Sequence, residues 1–258
     1  MISSASLQRD NPKWAVLRKY RLTASNWHSI LEGEKKQRRR PTLLQRPDFW
    51  KDSKTLNDWQ REAINWGISH EDKALDQVSK VIGRKLVPAG FMQSFYWSFL
   101  GASPDAYITD ETGQKIVGCV EIKCPYSKAA SGDLPPYLIV DRSSGQYKLK
   151  TDSAVYMQIQ GQMFSTGLKF TVLGVWTTKK LYLCRVKICH NFLRFVVRKL
   201  VDIYLAYYVP FLHQKNLMDT LTKKDMRKLI AYKEADKFIY QWHKSEMFVK
   251  DVLYELNC

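Results

Sequence analysis

The stretch Ile116-Val117-Gly118-Cys119-Val120-Glu121-Ile122-Lys123-Cys124-Pro125 constrains the fold of this chain more than any other. Five residues without a charge run straight into a Glu-Ile-Lys triplet, as a buried strand would, and Pro125, which has no N–H for a ladder bond, ends it. Side chains alternate along a strand, so Glu121 and Lys123 leave by one face and Ile122 by the other, into the core. Charge at the end of a buried strand is costly unless something pairs with it or binds to it. A Glu-x-Lys triplet is common and means little alone; its place at the end of an apolar strand is what gives it weight.

Ser103-Pro104-Asp105-Ala106 lies a short spacer upstream, on what reads as the adjacent strand. Two carboxylates and one ammonium then meet, a constellation suited to cutting a phosphodiester. That reaction needs divalent cations to neutralise developing charge and to turn water into a nucleophile, and hard Mg²⁺ is held by a few carboxylates rather than by a closed cage. Asp105 and Glu121 would supply those oxygens, while the Lys123 ammonium would orient the water and stabilise the transition state. Glu71, on a helix before the strands, could reach the same metal, although in isolation it reads as a surface residue. Gln158 is polar within the otherwise fairly apolar helical run 154–164, and such a group has a partner when buried; a water or a scissile phosphate would serve.

Lysine and arginine outnumber aspartate and glutamate 41 to 25, a formal charge of +16. That balance favours a polyanionic partner, DNA or RNA first, although membrane-surface and ribosome-associated proteins are equally basic. No apolar run reaches the roughly 20 residues that span a bilayer, and residues 1–10 lack the basic start and apolar middle of a secretory signal, so an intracellular protein is expected. The 5 cysteines form no Cys-x-x-Cys pair, and Cys184 and Cys189-His190 read as structural thiols and a neighbouring imidazole rather than a zinc site.

With 258 residues, 45% of them hydrophobic, the chain can fill one sizeable core or two small ones. Residues 14–31 read as a helix that could break near Thr23. Residues 33–54, carrying Lys35-Lys36-Gln37-Arg38-Arg39-Arg40, read as an exposed loop whose charge is a solvated face, a phosphate contact or a nuclear-import signal. Residues 57–66 and 68–82 read as two helices jointed at Gly67, with Gly83 as a left-handed cap. Strands are expected at 86–91, 98–108, 115–124, 170–177 and 181–188, and helices at 152–165 and 191–211, the last with the stripe Phe192, Phe195, Val196, Leu200 and Ile203. This is an α/β chain with a mixed sheet flanked by helices. From Thr222 onward the charged tail, with Phe238, Trp242, Met247 and Phe248 spaced to pack, reads as a helical layer. A separate domain of under about 50 residues would be marginal, so residues 212–258 are expected to pack as an extension on a domain spanning 1–211.

Taken together these pieces resemble the lambda-exonuclease-like (YqaJ-type viral recombinase) branch of the PD-(D/E)XK nuclease superfamily, over roughly residues 14–167. The resemblance rests on Trp14 and Arg18 leading into Leu22-Thr23-Ala24-Ser25, on the Gly67-to-Glu71 helix, on Ser103-Pro104-Asp105, on Glu121-Ile122-Lys123-Cys124-Pro125 and on Gln158-Ile159-Gln160. Each motif is weak alone; five in the family's order are a strong signal. The resemblance implies a restriction-endonuclease-like core, here with an extra C-terminal helical layer. It implies Mg²⁺, with Mn²⁺ able to substitute, on Asp105 and Glu121, with Glu71 completing the acidic site directly or through water. Lys123 would position and activate the water, and Gln158 would steady that lysine or the water. Arg18 and Ser25 match positions that hold the 5′-phosphate of a DNA end, where a guanidinium forks onto phosphate oxygens and a hydroxyl adds a bond. His70 could ligate or merely pack.

The function expected is a Mg²⁺-dependent deoxyribonuclease resecting linear duplex DNA from a 5′ end, in recombination or replication of a virus or mobile element. A single-strand annealing protein would be its partner, a trimer its family-implied assembly, and the nucleus its site in a eukaryotic host. The basic run 35–40, the segment 127–150 and the tail beyond Phe211 depart from the short phage enzyme, so the trimer and processivity do not carry over automatically. Two other readings stay open: an endonuclease or RNA-degrading host-shutoff nuclease with the same chemistry, and a catalytically silent nucleic-acid-binding module.

Overall fold

Period-two apolar patterns in the middle of the chain, between stretches of helical period, fold into a mixed sheet with helices on both faces. The computed structural model describes residues 12–18, 20–37, 56–214 and 221–242. In chain order the elements are α1 (Pro12–Arg18), β1 (Leu22–Thr23), α2 (Trp27–Gln37), α3 (Asp58–Ile82), β2 (Leu86–Pro88), β3 (Met92–Gln93), β4 (Leu100–Ala102), β5 (Ala106–Thr109) and β6 (Ile116–Lys123). There follow β7 (Leu138–Val140), β8 (Tyr147–Leu149), α4 (Ala154–Thr166), β9 (Phe170–Trp176), β10 (Leu181–Lys187), α5 (His190–Ile203), a wide helical turn at Tyr204–Tyr208, α6 (Val209–Gln214) and α7 (Lys223–Trp242).

The main sheet has the order β10-β9-β6-β5-β2, so the apolar strand β6 lies at its centre. It runs parallel to β9 and antiparallel to β5. Alternation then sorts its residues: Val120 and Ile122 pack with Ala74, Leu75 and Val78 of α3, while Glu121 and Lys123 leave toward α4. On β9 the same rule sends Val172 and Trp176 to the α3 side, and Leu173 and Val175 to the side of Tyr156, Ile159 and Met163 of α4. A second sheet, β1-β4-β3, lies in a separate core with Trp27, Phe99, Leu200 and Tyr204.

Several expectations are corrected. Residues 58–82 form one continuous helix, with Asn57 and Gln60 closing a reciprocal cap at its start and Gly67 accommodated inside it; Gly83 does end it in the left-handed conformation (φ 61°). The helix read over 14–31 does break near Thr23, at the strand β1, and α2 extends to Gln37, into the stretch read as a loop from residue 33; residues 38–54 of that stretch lie outside the described residues. The strand read over 98–108 is two strands in different sheets, divided where Ser103-Pro104-Asp105 turns from one to the other. Asp105 therefore stands just ahead of β5 rather than on it. The segment 127–150 contains the hairpin β7–β8, which no pattern announced. The helix read over 191–211 opens into the wide turn after Ile203, where Tyr204 and Tyr208 stack in parallel at 5.4 Å.

The C-terminal helix α7 is tied to the loop before β4. Buried Asp225 accepts from the Ser98 backbone N–H at 3.1 Å and from the Ser98 hydroxyl, and Lys228 donates to the Tyr96 carbonyl at 2.6 Å. Arg38, Arg39 and Arg40, and the side chains of Phe238, Trp242, Met247 and Phe248, lie outside the described residues.

Two glycines of the helices make opposite predictions. A Cβ at Gly67 would meet nothing within 4 Å, whereas one at Gly161 would lie 2.7 Å from the Ala24 Cβ and 3.0 Å from the Trp27 ring. Gly67→Ala should raise stability by about 0.5–1 kcal/mol, and Gly161→Ala should lower it by about 1–3 kcal/mol through overpacking. Urea unfolding of the two variants beside wild type checks both signs.

Candidate active site

A carboxylate only 2% exposed lies at the centre of the site. Glu121 can be held there because every approach to it is polar: its Oε1 accepts from Lys123 Nζ at 2.5 Å and from Gln158 Nε2 at 2.6 Å, and its Oε2 accepts from Gln162 Nε2 at 2.5 Å. Lys123 also donates to Gln158 Oε1 at 3.1 Å, closing a three-membered network. Gln158 and Gln162 are four residues apart on α4, so they lie on the same helix face, one turn apart, against the end of β6. The partner anticipated for Gln158 is thus the Glu121–Lys123 pair itself.

Asp105 joins this group through the sheet. Its backbone N–H donates to the Val120 carbonyl at 3.1 Å, and its Oδ2 accepts from the Ile122 N–H at 2.6 Å, so strand pairing itself fixes the carboxylate beside Glu121. Burial first, then the charges of Glu121 and of Glu71 on α3, push the Asp105 carboxyl well above its usual range; Lys123 and the Ile122 N–H oppose this only in part. Burial pulls the Lys123 ammonium down, but Glu121 and Asp105 more than compensate, and its pKa ends above the ordinary lysine value. In the metal-free chain Lys123 is therefore a charged donor at neutral pH.

The donor set suits a hard cation. A carboxylate offers about four lone-pair sites; Glu121 uses three and keeps one on Oε2, while Asp105 Oδ1 accepts no bond among the described residues. The Asp105 carboxyl, raised first by burial and then by the charges of Glu121 and Glu71, is one whose ionised form a cation would favour. Glu71 contributes to that field, but among the described residues no group of three or more acidic, histidine or cysteine side chains is arranged to hold an ion by itself. His70 packs: its ring stacks on Trp66 at 3.8 Å and on Trp176 at 5.0 Å, and its Nδ1 lies 2.8 Å from the Trp66 carbonyl oxygen.

Arg18 is linked to the same motif by a residue that had no assigned role. Its Nη1 donates to Ser103 Oγ at 3.2 Å, Trp14 Nε1 donates to the same oxygen at 3.1 Å, and the guanidinium lies over the Trp14 ring at 4.3 Å. Burial pushes the Arg18 pKa down to about 10, and no described carboxylate pairs with it. The Ser25 Oγ lies 3.3 Å from Thr23 Oγ1, while the hydroxyl that accepts from Arg18 is that of Ser103.

Residues 13–169 match the sequence profile of the YqaJ-like viral recombinase domain. The chain belongs to the YqaJ-like viral recombinase family. No curated protein matches it. Among solved structures, this YqaJ-like chain is similar to an alkaline exonuclease from Laribacter hongkongensis, with 16% identity, 82% of this chain and 100% of that chain covered, and a TM-score of 0.57. The complex of that exonuclease with dAMP matches to the same degree. The likeness extends the family match to the fold, a restriction-endonuclease-like mixed sheet flanked by helices.

Gln162 and Ser103 are the members of this candidate site that the sequence did not single out. The signal for Gln162 was its four-residue spacing from Gln158; nothing in the sequence pointed from Ser103 to Arg18.

A carboxyl whose pKa is raised on folding contributes stability while protonated, below the ordinary carboxylate pKa, and loses that contribution as pH rises through the raised value. Asp105→Asn keeps an oxygen for the Ile122 N–H and removes the charge. In chelator near neutral pH it is expected to be more stable than wild type by on the order of 1 kcal/mol, or roughly 2–4 °C in Tm. The gap should close as pH falls toward the ordinary carboxylate range, which thermal scans across pH would reveal.

Proposed function

We propose that this chain is a divalent-metal-dependent nuclease that degrades linear duplex DNA from a 5′ end. The observation that carries the reading is the buried Glu121–Lys123–Gln158 network beside Asp105, joined through the Ser103-Pro104-Asp105 turn to an Arg18 guanidinium without a carboxylate partner. The family's name, the alkaline exonuclease neighbour and that neighbour's dAMP complex support the same direction, as does the charge of +16.

Asp105 and the remaining lone pair of Glu121 would hold Mg²⁺, or Mn²⁺ in its place, with Glu71 adding negative field; the ion supplies Lewis acidity and charge neutralisation at the scissile phosphate. The protein's own groups do the rest. Lys123 presents its ammonium, positioned by Glu121 and Gln158, to the charge that develops on the phosphate. Gln158 fixes both partners, so neither side chain has to reorganise when the substrate arrives. Arg18, stacked on Trp14, offers its remaining N–H groups to a terminal phosphate. Ser103, whose oxygen already accepts two bonds, has its O–H left to donate. A phosphate bound there places the strand end next to Asp105, which sets cutting from the 5′ end and leaves a single strand for an annealing partner.

Linear duplex labelled at either end, with and without a 5′-phosphate, tests this in Mg²⁺ and in chelator. The expected result is Mg²⁺-dependent loss of nucleotides from the 5′-phosphorylated strand. Lys123→Ala should reduce cutting by at least about 10²-fold with duplex binding intact. Arg18→Ala should cost about tenfold on phosphorylated ends and little on hydroxyl ends. Closed circles cut as fast as linear duplex would overturn the end requirement, and full activity in Lys123→Ala would overturn the site.

A further inference from the structure

On the opposite side of α4 from Gln158 and Gln162, a cavity of about 670 Å³ opens between the end of α4, the loop before β4, α5 and α7. None of Asp105, Glu121, Lys123 and Glu71 lines it. Its character is aromatic and basic at once. Tyr96 stacks on Phe164 with centroids 5.9 Å apart and planes 30° from parallel, and Trp97 meets Tyr232 edge-on at 6.3 Å. Tyr96 and its neighbour Phe95 are 61% and 79% exposed, which is unusual for two adjacent large rings and marks a surface that contacts something.

Basic and hydrogen-bonding side chains are placed to complement a phosphate chain. His190, Arg194 and Arg198 of the cavity lining recur every four residues along α5, so they project from a common side at steps of about 6 Å, close to the phosphate repeat of an extended single strand. Lys224 lies over the Phe95 ring at 4.6 Å, and Lys228 over Trp97 at 5.7 Å. No acidic residue lines the cavity. The next position of the α5 row, Asp202, accepts from the Tyr232 hydroxyl at 2.8 Å, which bounds the groove at that end.

We propose that this groove is a second nucleic-acid site, one that binds single strands by stacking bases on Tyr96 and its neighbours while α5 contacts the phosphates. Rings flanked by cations are the arrangement that holds single strands without regard to sequence, because every base has a stackable face. Duplex is a poor occupant, since its bases are already stacked and unavailable to rings. The β4 segment leads from Trp97 to Asp105 in eight residues, so the groove is at most ~29 Å from the active site along the chain, within reach of a strand that has lost its complement there. The site goes beyond the nuclease reading and does not depend on catalysis.

Fluorescence anisotropy in chelator, with a labelled oligothymidylate of about 12 nucleotides and a duplex of equal length as probes, tests the groove. Tyr96→Ala and Arg194→Ala, both at exposed positions, should each weaken oligothymidylate binding about tenfold, while Tyr96→Phe, which keeps the ring, should bind as wild type does. Duplex binding, and the cutting rate on short linear duplex in Mg²⁺, should change less than about twofold in all three. Single-strand affinity unchanged in both alanine variants, or single-strand and duplex affinity falling together, would overturn the proposal. A chain that cuts no DNA yet loses single-strand affinity in these variants would leave the groove standing and remove the nuclease reading; normal cutting with unaltered single-strand affinity would do the reverse.

Discussion

A buried carboxyl group is tolerable only if hydrogen bonds replace its water, and at Glu121 the exposure is 2% with three donors in place. Those donors come from two elements: Lys123 on the same strand, Gln158 and Gln162 on α4. The polar cluster therefore joins strand and helix at the one place where an apolar contact would have been the default. Charge-assisted bonds of this kind are strong and directional, so the lysine, glutamine and glutamate are held in one geometry before any substrate is present. The surrounding packing, Ile159 and Met163 of α4 against Leu173 and Val175 of β9, keeps the helix at the depth the cluster needs.

Asp105 shows the complementary strategy. Its position comes from sheet pairing, through the Val120 carbonyl and the Ile122 N–H, and its charge is left in conflict with Glu121 and Glu71. Glu121 is satisfied by protein donors and Asp105 only in part, so the cluster has an internal electrostatic tension directed at one open spot. Arg18 is the mirror case, a desolvated cation with a hydroxyl and an indole for company. A desolvated carboxyl group and a desolvated guanidinium, joined by the three residues Ser103 to Asp105, give this part of the surface its polarity.

Much of the geometry around Glu121 was legible before any coordinates. The apolar run into Glu121 and the proline behind Lys123 announced the central strand, and period two alone assigned Glu121 and Lys123 to one face and Ile122 to the other, as the packing of Ile122 against α3 shows. Helix limits were less legible wherever tertiary contacts overrode local preference. Gly67 read as a joint, yet a well-capped helix of 25 residues carries one glycine at a cost of about 1 kcal/mol. The hairpin β7–β8 and the two-residue strands β1 and β3 are too short to leave a periodic trace.

The sequence by itself determined the residue types of the candidate site, their order and the central strand, because these depend on alternation and on the cost of buried charge, both local properties. The tertiary structure alone decided that Gln162 completes the shell of Glu121, that Ser103 connects Arg18 to Asp105, and that His70 packs between Trp66 and Trp176. It also decided that Tyr96 and Trp97 share a groove with Arg194 and Arg198. Each of these pairings joins residues brought together only when helices and sheets close on one another, and no spacing along the chain encodes which faces will meet.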